Sequence, residues 1–156
     1  MLDSGLRMNE VTTLNMNAIH LAEGYIIVDG KGNKQRIVPI GLHTKKHLMK
    51  YSALRPADLE HDTFFLQVNT TPLENSTVKQ LFRKLKIQSN IPRLKAHLLR
   101  HTFATRYLEN GGDIYSLQVI LGHTSLEMVK RYVHTTPLKI VRKYAVYSPM
   151  DTLSKT

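Results

Sequence analysis

The sequence predicts an α+β fold, mainly α, with one small antiparallel sheet. Three observations carry this: a β-branched stretch folded about a glycine-and-asparagine turn, two amphipathic stretches mid-chain, and a second half in which glycines punctuate apolar segments at helical spacing. "SGLRMNEVTTLNM" sets Leu6, Val11 and Leu14 at mixed helical spacing and predicts a short helix, with Asn17 and Gly24 as breakers. "GYIIVDGKGNKQRIVPI" predicts a hairpin with Lys31 at or close to its tip and Pro39 closing the second strand. "HTKKHLMKYSAL" and "STVKQLFRKLKIQSN" predict amphipathic helices, the second with Ser76 as N-cap; "TFFLQ" between them is a short strand or core segment. Pro92 precedes the helix containing His97, which Gly111 and Gly112 stop. Asp113 caps "IYSLQVILG", Gly122 stops it, and "SLEMVKRYV" and "PLKIVRKYAVY" complete the helical half.

At 156 residues, 42% of them hydrophobic, the chain is long enough to bury a core and is expected to form one domain spanning 1–156. The formal net charge of +10 points to a polyanionic partner, with a merely solvated basic surface as the bland alternative. The absence of cysteine excludes a disulfide framework and thiolate metal sites. No apolar run approaches the roughly 20 residues needed to cross a bilayer, and no signal-peptide pattern opens the chain; the expectation is a soluble cytoplasmic protein without a membrane partner. The first helix begins almost at Met1, as if the chain were part of something longer.

In "HLLRHTFATRYLENGG" the residues His97, Arg100 and His101 share a helical face with Ala104 and Leu108. A face that starts ionic and continues apolar is partly desolvated, and holding an arginine there costs free energy unless an anion meets it. Taken singly, the polar motifs do not decide function. His97 and His101 are four apart, as helical metal ligands are, but a third ligand and the glutamate of H-E-x-x-H are missing, so no metal is expected. "GKGNK" joins two strands and lacks the spacing of a nucleotide loop. Arg7 and Glu10 read as a surface ion pair, and Tyr132 alone reads as an ordinary core or surface tyrosine.

In order, however, Arg7 in "SGLRMNE", Lys31 in "DGKGNKQRIVP", His97 and Arg100 in "HLLRHTFAT", His123 in "LGHTS" and Tyr132 in "KRYVH" resemble the signature series of the tyrosine recombinases, the phage-integrase family. The resemblance runs from Leu2 to about His134 and departs at Val129, where many members carry threonine, a difference of packing more than of chemistry. It implies the family's catalytic domain, a site-specific recombinase cutting and rejoining double-stranded DNA through a 3′-phosphotyrosyl intermediate, without cofactor, metal or ATP. It also implies a homotetramer on synapsed DNA, a monomer or weak oligomer when free, and a separate N-terminal core-binding domain absent from these residues. The C-terminal tail, about 137–156, sets Leu138, Val141 and Ala145 on one stripe, and the resemblance implies that it docks on a neighbouring protomer.

The chemistry fits these residue types. Two guanidinium forks, Arg7 and Arg100, suit the non-bridging oxygens of a phosphodiester and the charge that grows on them during attack. Tyr132 must lose its proton as it attacks, to a neutral imidazole such as His97. Lys31 would protonate the departing 5′-oxygen, with Lys34 as the other donor in the hairpin, and His123 would hydrogen-bond a non-bridging oxygen. Lys34, Arg36, Lys95 and Arg106 are expected to be duplex-backbone contacts or solvated surface. A type IB topoisomerase-like enzyme would share the cleavage chemistry, and a non-enzymatic DNA-binding protein would not need these six positions.

Overall fold

The computed structural model describes residues 1–30, 34–57 and 59–133; Lys31 and the stripe Leu138, Val141 and Ala145 lie outside them. The order is α1 (Met8–Thr12), a 3-10 turn (Met16–Ala18), β1 (Ile19–His20), β2 (Tyr25–Asp29), β3 (Gln35–Pro39), α2 (Leu42–Leu54), α3 (Asn75–Gln88), α4 (Ala96–Glu109), α5 (Ile114–Leu121) and α6 (Glu127–Lys130). Among the described residues no helix is long and apolar enough to cross a membrane.

The hairpin forms as its residues dictate. β1, β2 and β3 make an antiparallel sheet in that order, with Ile26 opposite Val38 and Val28 opposite Arg36. Strand alternation sends Ile26, Val28 and Val38 into the core and leaves Ile37 exposed. With Leu6, Leu14 and Ile120 they form one apolar cluster; Ala104, Leu117, Leu121, Val129 and Tyr132 form a second. Phe103 and Tyr107 of α4 pack against both, so α4 stitches the sheet side to the helical side. Val129 is fully buried in the second cluster, in keeping with a packing role at that position.

The helix boundaries in the second half follow their cap residues. Asp113 Oδ1 accepts from the Ser116 amide at 2.8 Å, and Gly122 closes α5 in the left-handed conformation, φ 62°. One expectation changes, and one alternative is decided. α3 starts at Asn75 with Glu74 as its N-cap, and Ser76 is not the cap: its hydroxyl donates to Glu74 Oε2 at 2.8 Å. "TFFLQ" is a core segment and forms only single bridges, Asn15 with Thr63 and Leu66 with Pro72. Phe64 is buried there, and the Leu66 amide donates to the Tyr51 hydroxyl of α2.

Candidate active site

Arg100 is the buried centre of the site. It sits one turn into α4 and is 3% exposed, with Nη1 donating to the Gly5 carbonyl at 2.6 Å and Nη2 to the Leu121 carbonyl at 2.7 Å. Both acceptors are free to do this for local reasons. Gly5 lies in a turn at φ +63°, and Leu121 is the last residue of α5, whose carbonyl has no partner within the helix. Nη2 also donates to His123 Nε2 at 3.0 Å. Burial, then the neighbouring Arg7 cation, brings the Arg100 guanidinium down to about 10, which leaves it charged at neutral pH.

Arg7 and Glu10 are more than the surface ion pair expected of that spacing. Glu10 is buried at 8% and takes four hydrogen bonds. Arg7 gives its amide to Oε2 and its Nη1 to Oε1, both at 2.8 Å; Arg36 gives Nη1 to Oε1 at 3.0 Å and Nη2 to Oε2 at 2.8 Å. Burial alone would raise the Glu10 carboxyl, but the hydrogen bonds from Arg36 and Arg7 overcome it and hold the group below the usual carboxylate range. The Arg7 side chain keeps 43% of its surface and lines the cleft described below.

Tyr132 follows α6 and is 8% exposed in the second apolar cluster. Its ring centroid lies 5.0 Å from that of His101 and 6.4 Å from that of His123, near-parallel to the latter. His123 is pulled down to about 4 by burial and then by the Arg100 and Arg7 cations, so it is neutral at pH 7. Its Nδ1 is buried and without a partner among the described residues.

A cleft of about 560 Å³ is lined by Arg7, His97 and Arg100 together with Lys79, Arg83 and Lys86; His123 and Tyr132 are not among its lining residues. The structure thus sets Arg7, His97 and Arg100 on one cleft and joins His123 and Tyr132 to them through the Arg100–His123 hydrogen bond, while Lys31 lies outside the described residues. Of the residues expected at the duplex backbone, Lys95 lines the cleft and Lys34 is exposed at the hairpin. Arg106 instead borders a separate cavity with Phe103 and Tyr107 and pairs with Glu109 at 3.2 Å. Arg36 turns inward: its side chain is 8% exposed and spent on Glu10 and the Ile120 carbonyl, which removes it from the set of surface contacts. Sequence reasoning missed Lys79, Arg83 and Lys86, spaced i, i+4, i+7 on α3, and the contact of His101 with Tyr132. Among the described residues no three His, Asp or Glu side chains converge as metal ligands.

A sequence model of the phage integrase family matches residues 1–139. The chain belongs to the phage integrase family. Similar members include the tyrosine recombinase XerD of Staphylococcus saprophyticus, 34% identical over 94% of this chain and 51% of its own length, and that of Staphylococcus aureus, 32% identical over the same shares. The chain therefore spans about half the length of the curated relatives it matches. Among solved structures, XerA recombinase superposes with a TM-score of 0.78 at 34% identity, covering 95% of this chain and 55% of that one. The XerH recombinase, bound to its difH substrate before cleavage, gives 0.74 at 26% identity over 94% and 44%. The catalytic domain of bacteriophage HP1 integrase gives 0.68 at 27% over 95% and 77%. All share the arrangement of helices around a small sheet that defines this phage integrase fold.

Proposed function

We propose that this chain is the catalytic part of a tyrosine-type site-specific DNA recombinase. The observation that carries the reading is the convergence of Arg7, Arg100 and His97 on one cleft, with His123 bonded to Arg100 and Tyr132 stacked beside His123. A phosphodiester in that cleft meets two guanidiniums, the groups best matched to its non-bridging oxygens. The Tyr132 oxygen attacks phosphorus as the bond to the 5′-oxygen breaks; the phenol proton passes to His97, and the 5′-oxygen takes a proton from Lys31. The phosphotyrosyl bond keeps the energy of the broken one, so a hydroxyl from a second DNA strand reverses the step without ATP. The cations supply the charge that metal ions supply in two-metal nucleases. The relatives' designation as tyrosine recombinases and the difH substrate held by XerH, a site-specific recombinase, support double-stranded DNA as substrate. Exchange between two duplexes calls for a tetramer, in a bacterial, phage or mobile-element setting.

The test is a nicked suicide duplex that traps the covalent state. Wild type should form a denaturant-stable protein–DNA adduct in EDTA, and Tyr132→Phe should bind the same DNA and form none. An adduct with Tyr132→Phe, or a wild type that binds DNA yet yields adduct only with added divalent metal, would overturn the reading.

A further inference from the structure

A buried carboxylate at the heart of an anion-binding site calls for explanation, because Glu10 offsets one of the two cations offered to the phosphate. Left alone with Arg7, it would hold that guanidinium as its own counter-ion and compete with the substrate. Arg36 changes this balance. Its Nη1 and Nη2 make a two-pronged pair with the Glu10 oxygens, and its Nε donates to the Ile120 carbonyl at 2.8 Å. It also lies against Gly122, where a Cβ would stand 3.1 Å from its Cδ, Nε and Nη1. The carbonyls of Ile120 and Leu121, adjacent at the end of α5, are thus taken by Arg36 and Arg100 respectively.

We infer that Arg36 is a positioning residue: it neutralises Glu10, so that Arg7 is oriented by that carboxylate yet remains free to bind phosphate, and it ties β3 to the turn that carries His123. The inference rests on the proposed strand cleavage. Arg36 lies on the core face of β3, as buried Val38 does two residues on, so it acts through Glu10 and Ile120 and not on DNA. Without it, the site loses one unit of positive charge while a buried carboxylate loses half its donors, the costly way to break a buried pair. Replacing both charges at once leaves the net charge of the site as it was.

The experiment uses single-turnover cleavage of the suicide duplex by the full chain, with DNA affinity measured in parallel. Arg36→Met should slow adduct formation on the order of 10²-fold while DNA affinity changes little, since most of it comes from phosphate contacts elsewhere. Arg36→Met combined with Glu10→Gln should recover most of the rate, and Arg36→Lys should fall between wild type and Arg36→Met. A double variant as slow as Arg36→Met, or an Arg36→Met enzyme as fast as wild type, would overturn the inference. If Arg36→Met alone does not fold, the double variant and Arg36→Lys still decide, because the first removes the buried carboxylate's charge and the second keeps a cation beside it. Binding of inorganic phosphate, followed by line broadening of its phosphorus resonance, gives a second readout in the same variants: weaker in Arg36→Met, restored in the double variant. An unchanged phosphate affinity in Arg36→Met counts against the inference. A wild type that binds phosphate but forms no adduct would count against strand cleavage instead.

Discussion

Arg100 Nη2 and His123 Nε2 meet at 3.0 Å, and the direction of that hydrogen bond fixes the tautomer of the imidazole. A guanidinium only donates, so Nε2 must accept, and the imidazole carries its proton on Nδ1. The Nε2 lone pair of His123 is therefore taken up by Arg100.

Protonating His123 means giving up that acceptor, which sets a pH dependence of stability. Its folded pKa of about 4 lies below the ordinary 6.5, so the unfolded chain takes up the proton first as pH falls. The stabilisation is complete above pH 6.5 and is lost as pH drops toward 4. The lowered Glu10 carboxyl adds a loss of the same sign only below its ordinary value of 4.5. Urea unfolding between pH 6.5 and 4.5 should show a decline on the order of 1–2 kcal/mol after discounting for partial exposure, and His123→Gln should flatten it. An equal slope in the variant would refute the assignment.

Gly5 is required twice over. It sits at φ +63°, and a Cβ there would lie 2.5 Å from Phe103 Cδ1 and 2.8 Å from Leu121 Cδ2. Gly5→Ala should cost roughly 2–4 kcal/mol, combining left-handed strain with overpacking, and should shift the carbonyl that anchors Arg100. Gly111, at φ +98° with nothing within 4 Å, supplies the control: its alanine variant carries the backbone strain alone. Comparable unfolding midpoints for the two variants would show that the contacts with Phe103 and Leu121 are unimportant.

The basic wall of the cleft predicts where salt sensitivity resides. If Lys79, Arg83 and Lys86 each neutralise a phosphate, replacing one by alanine should lower the slope of log K against log salt by about 0.9. Arg106→Ala should leave the slope unchanged, since Arg106 borders the other cavity. Equal effects from α3 and Arg106 would mean that the cleft does not hold the duplex.

The choice of general acid is open to a direct chemical test. Lys31→Ala should cleave normal DNA slowly yet cleave a 5′-bridging phosphorothiolate well, because a thiolate leaves without a proton. Sulfur rescue confined to Lys34→Ala would move the role three residues along the hairpin.

The hairpin, the Asp113 cap and the Gly122 stop were legible because each rests on local chemistry that a few neighbouring residues supply. The inward turn of Arg36 was also written in the pattern: strand alternation puts it on the face of Val38, but a positive charge in a basic chain invites a surface reading. Glu10 and Arg36 are 26 residues apart, and nothing local pairs them. The Ser76 cap failed because Glu74 already starts the helix and takes the serine hydroxyl for itself. That Lys79, Arg83 and Lys86 share a cleft with His97 depends on the tertiary path of the chain between α3 and α4. Periodicity shows a charged stripe but not what it confronts.

The end of α5 has one more consequence, for the order of events during synthesis. Its two terminal carbonyls are reached by side chains 84 and 21 residues earlier in the chain, and the Arg100 side chain bridges back 95 residues to Gly5. Loops of such length close only when most of the chain is in place. A nascent or partly unfolded chain therefore holds its arginines, histidines and tyrosine apart, and no fragment ending before Leu121 contains both carbonyls that aim Arg100. If the chain cuts DNA as proposed, that capacity is assembled only once residues this far apart in the chain have met.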